Sequence, residues 1–468
     1  IIDPAAEPEL LVLGTGDEPA LCRTLCSIVD RASVAVAVTV VTASATPGPV
    51  EALLAAMPSL RWQSAAEAKP RSGTHRLRAG EELAWAWPAE PSDGSEVSVA
   101  YVLSGLPKAG SGGVISIVAE ARGLTMLGTR ARICVPRTGL DHAQRLYRQD
   151  ADRFSAYPDG GPVSDALGDA NVVVMTEHTS VPLVAQVLQA RPELACCYYV
   201  QDYEPLFTPA GSSRSDRATL SYGAISDAVL YAKTHFVRNV VMARHGLHVT
   251  KVAPSLEPSL VEAPRPVEDP GRLRIAAMVR PRTPRRRPQA TLAALAAIAR
   301  ALGDGCQLTS FGCGESELVA LGGPPIRQLR HLGELTPAEV SEQLARTDIF
   351  IDASIYQAFG RSGLEAMAHG AVPVLPRFGG VHEYARAGEN CVLVDDGSPE
   401  EIARVVLELA ADDDRRARLA SAARATAGQF SILAAAADQQ QLFSAALHRR
   451  RARLDPTGAG AARPDPAS

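Results

Sequence analysis

Between residues 273 and 411, short apolar runs alternate with helix-patterned stretches almost without interruption, and this alternation restricts the fold more than any other feature of the chain. Residues 273–278, 307–311, 349–351 and 372–375 read as strands. Residues 289–302, 336–346, about 360–369 and 399–411 read as helices. Such alternation predicts a parallel, doubly wound α/β sheet covered on both faces. A looser series precedes it. Residues 97–103 read as a strand, 104–113 as a glycine-rich loop and 114 to about 127 as a helix, with further strands expected at 131–135, 172–175, 197–200 and 234–237. At the start of the chain, strands at 10–13, 34–41 and 60–62 with helices at 19–29 and 50–57 give a β-α-β-α-β rhythm. The Pro-, Gly-, Arg- and Glu-rich stretch 65–96 then reads as a linker with one edge strand.

At 468 residues and roughly 150 residues per domain, two or three domains are expected. The boundaries read as an N-terminal α/β accessory segment and linker at 1–96, Rossmann-like domains at 97–262 and 263–430, a C-terminal helix at 431–449 and a disordered tail at 450–468. Pro254, Pro258, Pro264, Pro266 and Pro270 make a stiff connector between the two larger domains. With 47 basic and 52 acidic residues, the net charge of -5 gives no electrostatic case for a nucleic-acid partner. No apolar run approaches the roughly 18–20 residues that span a bilayer. The eight cysteines have no paired zinc spacing and read as reduced, mostly buried thiols, which suits a cytoplasmic protein.

Chemistry concentrates in residues 348–394. A buried strand delivers a polar loop containing Gln357, Gly360 and Gly363 to the start of a helix, whose free N–H groups and positive dipole end favour an anion. Glu365, in the first turns of that helix, can accept hydrogen bonds from vicinal ribose hydroxyls. The strand 273–278 runs into a loop with five arginines (Arg280, Arg282, Arg285, Arg286 and Arg287), whose planar forks suit a diphosphate. In the first half, residues 198–207 (Tyr-Tyr-Val-Gln-Asp-Tyr-Glu-Pro-Leu-Phe) form a polar-aromatic string after a strand; Asp202 there either orients a hydroxyl or caps a turn, and Tyr203 either contacts ligand or packs. Ser111-Gly112-Gly113 and the strand-end residues Thr176 and His178 are further candidates.

Residues 357–394 resemble the donor-site signature of retaining family 4 glycosyltransferases: Glu, seven residues, Glu, then Ala-Met-Ala, Gly, Pro-Val-Val, Gly-Gly and Glu. Glu365, Ala366-Met367-Ala368, Gly370, Gly379-Gly380 and Glu383 match; the first Glu is replaced by Gln357. The resemblance implies a GT-B fold, two Rossmann-like doubly wound domains facing across a cleft, with the nucleotide sugar on the second. It also implies retention of anomeric configuration and no required metal or other cofactor. By the same resemblance Arg280, Arg285 and Gln357 are catalytic, together with Asp202. Arg286, an alternative match to Arg285, would bind donor with Phe359, Gly360, Arg361, Ser362, Gly363 and Glu365, and Gly112, Gly113, Thr176, His178, Gln201, Tyr203 and Glu204 would line the acceptor side. The string 198–207 resembles that of the rhamnosyltransferase type of bacterial S-layer or rhamnan glycan synthesis. That implies dTDP-L-rhamnose or another nucleoside-diphosphate sugar as donor, a glycan or lipid-linked glycan as acceptor, and peripheral association with the inner membrane face. A catalytically silent nucleotide-sugar or glycan-binding subunit and a GT-B sugar-nucleotide epimerase remain the alternative readings.

Overall fold

The computed structural model describes residues 9–13, 37–42, 60–64, 75–78, 97–106, 111–262, 272–323 and 325–454. The expected helices at 19–29 and 50–57, residues Cys22 and Cys26, the proline connector from residue 263 and the tail from residue 455 lie outside these residues. The chain divides into two compact units, residues 1–94 with 197–251 and residues 95–196 with 252–468.

In the first stretch, β1 (Glu9–Leu13), β2 (Ala37–Thr42), β3 (Leu60–Ser64) and β4 (His75–Arg78) form a parallel sheet in the order β3-β2-β1-β4. The edge strand expected in the linker is β4. A seven-stranded sheet comprises β5 (Ser98–Val102), β6 (Arg130–Pro136), β7 (Phe154–Tyr157), β8 (Val172–Met175), β9 (Ala195–Tyr199), β10 (Val229–Ala232) and β11 (Val249–Lys251), in the order β11-β10-β9-β8-β5-β6-β7. One expected strand is corrected here. Residues 234–237 open the helix His235–His245: the Thr234 hydroxyl accepts from Val237 N–H at 3.2 Å as an N-cap, and the strand lies just before it at Val229–Ala232.

The third sheet contains β12 (Leu273–Met278), β13 (Cys306–Phe311), β14 (Leu329–His331), β15 (Ile349–Ile351), β16 (Val372–Pro376) and β17 (Val392–Val394), all parallel in the order β14-β13-β12-β15-β16-β17. Its residues sort by the two-residue period of a pleated strand. Ile275, Ala277, Ile349 and Ile351 pack on Leu295, Ile298, Ile402 and Val406, whereas Ala276 and Phe350 pack on Phe311, Leu344 and Ala366. Helices therefore cover both faces, as an apolar parallel sheet requires. Two of its helices start on side-chain caps: Thr336 and Glu339 form a reciprocal capping box, and the Ser398 hydroxyl accepts from Glu401 N–H at 3.1 Å.

The last helix runs Ile432–Leu454, past the expected start of a disordered tail at residue 450. It packs on the helix Gly112–Met126, where a Cβ at Gly123 would lie 2.7 Å from the Ile432 carbonyl oxygen. Only a glycine permits that approach. Gln439 ties the pair together, donating to Glu120 Oε2 at 2.8 Å and accepting from the Tyr101 hydroxyl at 2.5 Å. The six described cysteines are buried and unbridged.

Candidate functional site

In an open parallel sheet the ligand crevice forms where neighbouring strands send their connections in opposite directions. In the third sheet that place lies between β12 and β15: β12 leads to β13 on one side and β15 to β16 on the other. The loops leaving these two strands are 279–287 and 352–360, the segments in which the arginines and Gln357 reside.

The two loops touch. Ile355 N–H donates to the Arg285 carbonyl at 2.8 Å, and the Arg285 guanidinium lies 4.9 Å from the centre of the Tyr356 ring. Arg286 Nη1 lies 4.0 Å from Asp352 Oδ2. Arg280, at the end of β12, is largely desolvated, which pulls its pKa below the usual range against the opposing charge of Glu334; a guanidinium so shifted still stays protonated. Gly312, with φ +111°, lets the end of β13 pass close to it. Arg282 instead projects into solvent and pairs with Glu317 at 2.7 Å.

Gln357 is buried, and both ends of its backbone are engaged. It bridges Gly379 as an isolated parallel pair, and Gly380 N–H donates to its carbonyl at 2.6 Å. Gly379 sits at φ +108°, where a Cβ would fall 2.3 Å from the Gln357 carbonyl oxygen. The side-chain amide donates to Asp352 Oδ2 at 2.5 Å and Ser354 Oγ at 3.1 Å. Asp352 and Ser354 were not among the residues singled out from sequence; their place just beyond a strand end was visible, their partners were not.

The helix Arg361–Ala368 begins at Gly360, whose φ of +83° is left-handed. Two of the expected ligand-approach residues have packing reasons here. A Cβ at Gly360 or Gly363 would meet the Tyr384 hydroxyl at 2.6 or 2.7 Å, and that hydroxyl donates to the Gly360 carbonyl at 2.6 Å. Phe359, expected to bind donor, is a core residue: it meets Tyr384 edge-on at 5.7 Å and packs among Leu364, Met367 and Leu375. Ser362 is half-buried in the first turn. Arg361 donates to Glu365 Oε1 at 2.8 Å, to Ser116 Oγ at 3.4 Å and to the Ser255 carbonyl at 3.2 Å, while its buried Nη2 has no hydrogen-bond partner among the described residues. Burial raises the Glu365 carboxyl above the ordinary glutamate range, with Arg361 opposing.

Arg361 also places the glycine loop. An added Cβ at Gly112 would lie 3.8 Å from Arg361 Cβ, and Gly112 and Gly113 open a helix capped by Ser111, whose hydroxyl accepts from Val114 N–H at 3.2 Å. This is the switch point of the seven-stranded sheet, between β5 and β8. There Thr176 donates from Oγ1 to the Val102 carbonyl at 2.7 Å, Glu177 accepts from Ser104 Oγ at 2.5 Å, and His178 is buried. Thr176 thus ties the two strand ends together.

In the other unit, Gln201 and Asp202 are half-buried, and Asp202 Oδ1 accepts from Tyr203 N–H at 2.9 Å. The short helix that follows has Tyr203, not Asp202, at its cap position and no side-chain cap. Tyr203 stacks on Tyr222 at 5.8 Å, with its hydroxyl 3.1 Å from His245 Nε2. Glu204 is buried, accepts from the Tyr198 hydroxyl at 3.4 Å, and its N–H donates to the Tyr222 hydroxyl at 3.2 Å. Tyr203 and Glu204 are therefore parts of an aromatic cluster that shapes the loop. Among the described residues, no three His, Cys, Asp or Glu side chains are placed to hold a metal.

Solved structures share this architecture. HepE of Anabaena in complex with UDP and glucose superposes with a TM-score of 0.61 at 15% identity, covering 75% of this chain and all of that one. The sucrose-phosphate synthase of Thermosynechococcus elongatus gives 0.57 at 13% identity, over 76% of this chain and all of that one. The fold is GT-B. Within this GT-B chain, residues 264–426 match the family model described as glycosyl transferases group 1. The lipopolysaccharide core biosynthesis glycosyltransferase LpsE of Rhizobium meliloti is 38% identical over 89 residues, 19% of this chain and 26% of that one. A D-inositol 3-phosphate glycosyltransferase of Xylanimonas cellulosilytica is 34% identical over 141 residues, 30% of this chain and 31% of that one. The chain thus matches less than a third of the length of either relative. The group 1 match encloses the arginine loop, Asp352, Gln357, Arg361 and Glu365 of the GT-B switch point.

Proposed function

We propose that the chain is a retaining glycosyltransferase that moves a sugar from a nucleoside diphosphate to a hydroxyl of a bacterial glycan. The observation that carries this reading is the meeting of two loops at the switch point of the segment that matches group 1 glycosyl transferases: Arg285 lies over Tyr356 and Arg286 faces Asp352, which accepts from the Gln357 amide. Arg280, Arg285 and Arg286 would hold the diphosphate and neutralise the charge that develops as the sugar leaves. Buried Nη2 of Arg361 offers one more N–H at the same helix start. Glu365 would accept from the ribose hydroxyls. In this scheme the acceptor attacks from the face of the leaving diphosphate and gives its proton to a phosphate oxygen, so neither a protein nucleophile nor a metal is required.

The donor we favour is dTDP-L-rhamnose, on the strength of the string 198–207; UDP-glucose is the competing choice, since a structural neighbour, HepE, is solved with UDP-glucose. The acceptor would be a glycan or lipid-linked glycan, reached at the inner face of a membrane from the cytoplasm by peripheral association. Among the described residues, no helix is long and apolar enough to cross a membrane. The absence of a carboxylate at 357 favours one other reading, a nucleotide-sugar-binding subunit that does not turn over. A donor panel read by thermal shift tests both: a ligand that binds the folded chain at 100 times its Kd adds about 2.7 kcal/mol of apparent stability. No shift with any nucleotide or nucleotide sugar would end both readings.

Asp202 is assigned to the acceptor side. Asn keeps an oxygen to accept from Tyr203 N–H, so Asp202→Asn should change stability by less than about 0.5 kcal/mol and leave donor affinity intact while transfer falls. Full transfer by that variant would remove Asp202 from the acceptor site.

A further inference from the structure

We infer that Asp352 is a positioning residue that fixes the Gln357 amide as a hydrogen-bond acceptor toward the transferred sugar, an inference resting on the donor-site reading above. Gln357 stands where the resembled family has Glu. A glutamine side chain has two donors and one acceptor oxygen, and it can flip to present either end. Here the choice is made by what faces it. Nε2 donates one N–H to Asp352 Oδ2 at 2.5 Å and the other to Ser354 Oγ at 3.1 Å. In the flipped state Oε1 would stand against a carboxylate oxygen at that separation, which is repulsive.

Asp352 is itself held. Its Oδ1 accepts from Ser354 N–H at 3.1 Å and from the Ser354 hydroxyl, and Oδ2 has the Arg286 guanidinium 4.0 Å away. Ser354 Oγ uses its single proton on Asp352, so toward Gln357 it can only accept. Every partner of the amide is thus an acceptor, which leaves Oε1 as the end free to meet a ligand. The Gln357 backbone is pinned by Gly379 and Gly380, so the residue cannot swing away from Asp352. The pair presents an acceptor oxygen at the position where the resembled family has a carboxylate, and holds the negative charge on the neighbouring Asp352 side chain. A carboxylate in place of the Gln357 amide would face Asp352 as two carboxylates within hydrogen-bond distance, an arrangement that requires a shared proton.

The test uses full-length Asp352→Asn, Gln357→Glu and the double variant. Affinities for UDP and UDP-glucose, and for dTDP and dTDP-L-rhamnose, are measured by calorimetry between pH 5.5 and 8.5, with transfer rates and melting temperatures beside them. The ratio of nucleotide-sugar to nucleotide affinity isolates the sugar contact whether or not the chain turns over. Asp352→Asn should lose about tenfold in that ratio, the value of one oriented hydrogen bond, whereas any change in diphosphate affinity through Arg286 affects both ligands alike and cancels in the ratio. Gln357→Glu should make the ratio pH-dependent, higher toward acid where the carboxylates share a proton. In the double variant the amide and the carboxylate have exchanged places, so the amide on the first loop position donates to the carboxylate on the second. The ratio should then return to within about threefold of the parent at every pH, as coupled partners restore each other. A double variant no better than Gln357→Glu at neutral pH, or an Asp352→Asn protein with an unchanged ratio, overturns the inference while leaving the donor-site reading intact. A parent chain that binds none of the four nucleotides overturns that reading and the inference with it.

Discussion

Arg280→Ala should lower the transfer rate by about 10²–10³-fold, the usual effect of removing one preorganised group that stabilises charge developing in a transition state. Arg280 stands at the end of β12, next to the switch point, in an environment dry enough to pull its pKa down. A positive charge in such a place acts through little water, so its field on a departing diphosphate is strong. Its hydrogen bond to the Met278 sulfur is a long 3.5 Å contact from Nε, a weak use of a guanidinium for stability. Melting temperature should therefore move little. The measurement is single-turnover transfer with saturating donor beside a thermal melt. A variant that melts early yet transfers at the parent rate once folded would make Arg280 structural.

Glu365→Gln should weaken nucleotide binding by about 1.5–3 kcal/mol, the value of hydrogen bonds to a charged acceptor. Part of that loss comes through Arg361, which donates to Glu365 at 2.8 Å and reaches Ser116 and Ser255 from the same guanidinium. Loosening Arg361 loosens the contact between the donor helix and the Gly112 helix, so the variant should also melt earlier. The pH dependence has a definite sign. Burial raises the Glu365 carboxyl, so the folded chain holds that proton to higher pH than the unfolded chain does. Its contribution to stability is full below the ordinary glutamate pKa and is lost as pH rises through the raised value. Donor affinity runs the other way, because hydroxyl donors need the carboxylate, and it should rise with pH across that window. Calorimetric titration of the nucleoside diphosphate across this range checks it; a flat profile in the parent would detach Glu365 from the ribose.

The third sheet was legible where burial leaves a strong mark. β12 and β15 are apolar on both faces, and the elements found at Leu273–Met278 and Ile349–Ile351 have the bounds their sequence predicts. β14 and β17 escaped notice because each is three residues long and carries no alternation beyond its neighbours. Residues 234–237 misled for the opposite reason: an apolar, β-branched stretch looked like a strand, while the deciding signal was the Thr234 hydroxyl turned to cap a helix. At the candidate site, residue types pointed to two loops that the structure brings together at the switch point, because strand ends and arginine clusters are local features. Roles that depend on distant partners were not readable. Gly363 looked like an opening for a phosphate, but the Tyr384 ring arrives from a later loop to fill that space. Asp352 gave no sign in the sequence that it would hold Gln357.

On the function proposed above, the GT-B switch point transfers a sugar and retains its configuration. Proton NMR of full-length protein with dTDP-L-rhamnose or UDP-glucose and a glycan acceptor reads both facts from the anomeric signal. The expected result is release of the nucleoside diphosphate together with a product of the same anomeric configuration as the donor, formed about 10²–10³-fold more slowly by Arg280→Ala. Transfer with inverted configuration, or a bound donor that stays intact with every acceptor, would contradict it.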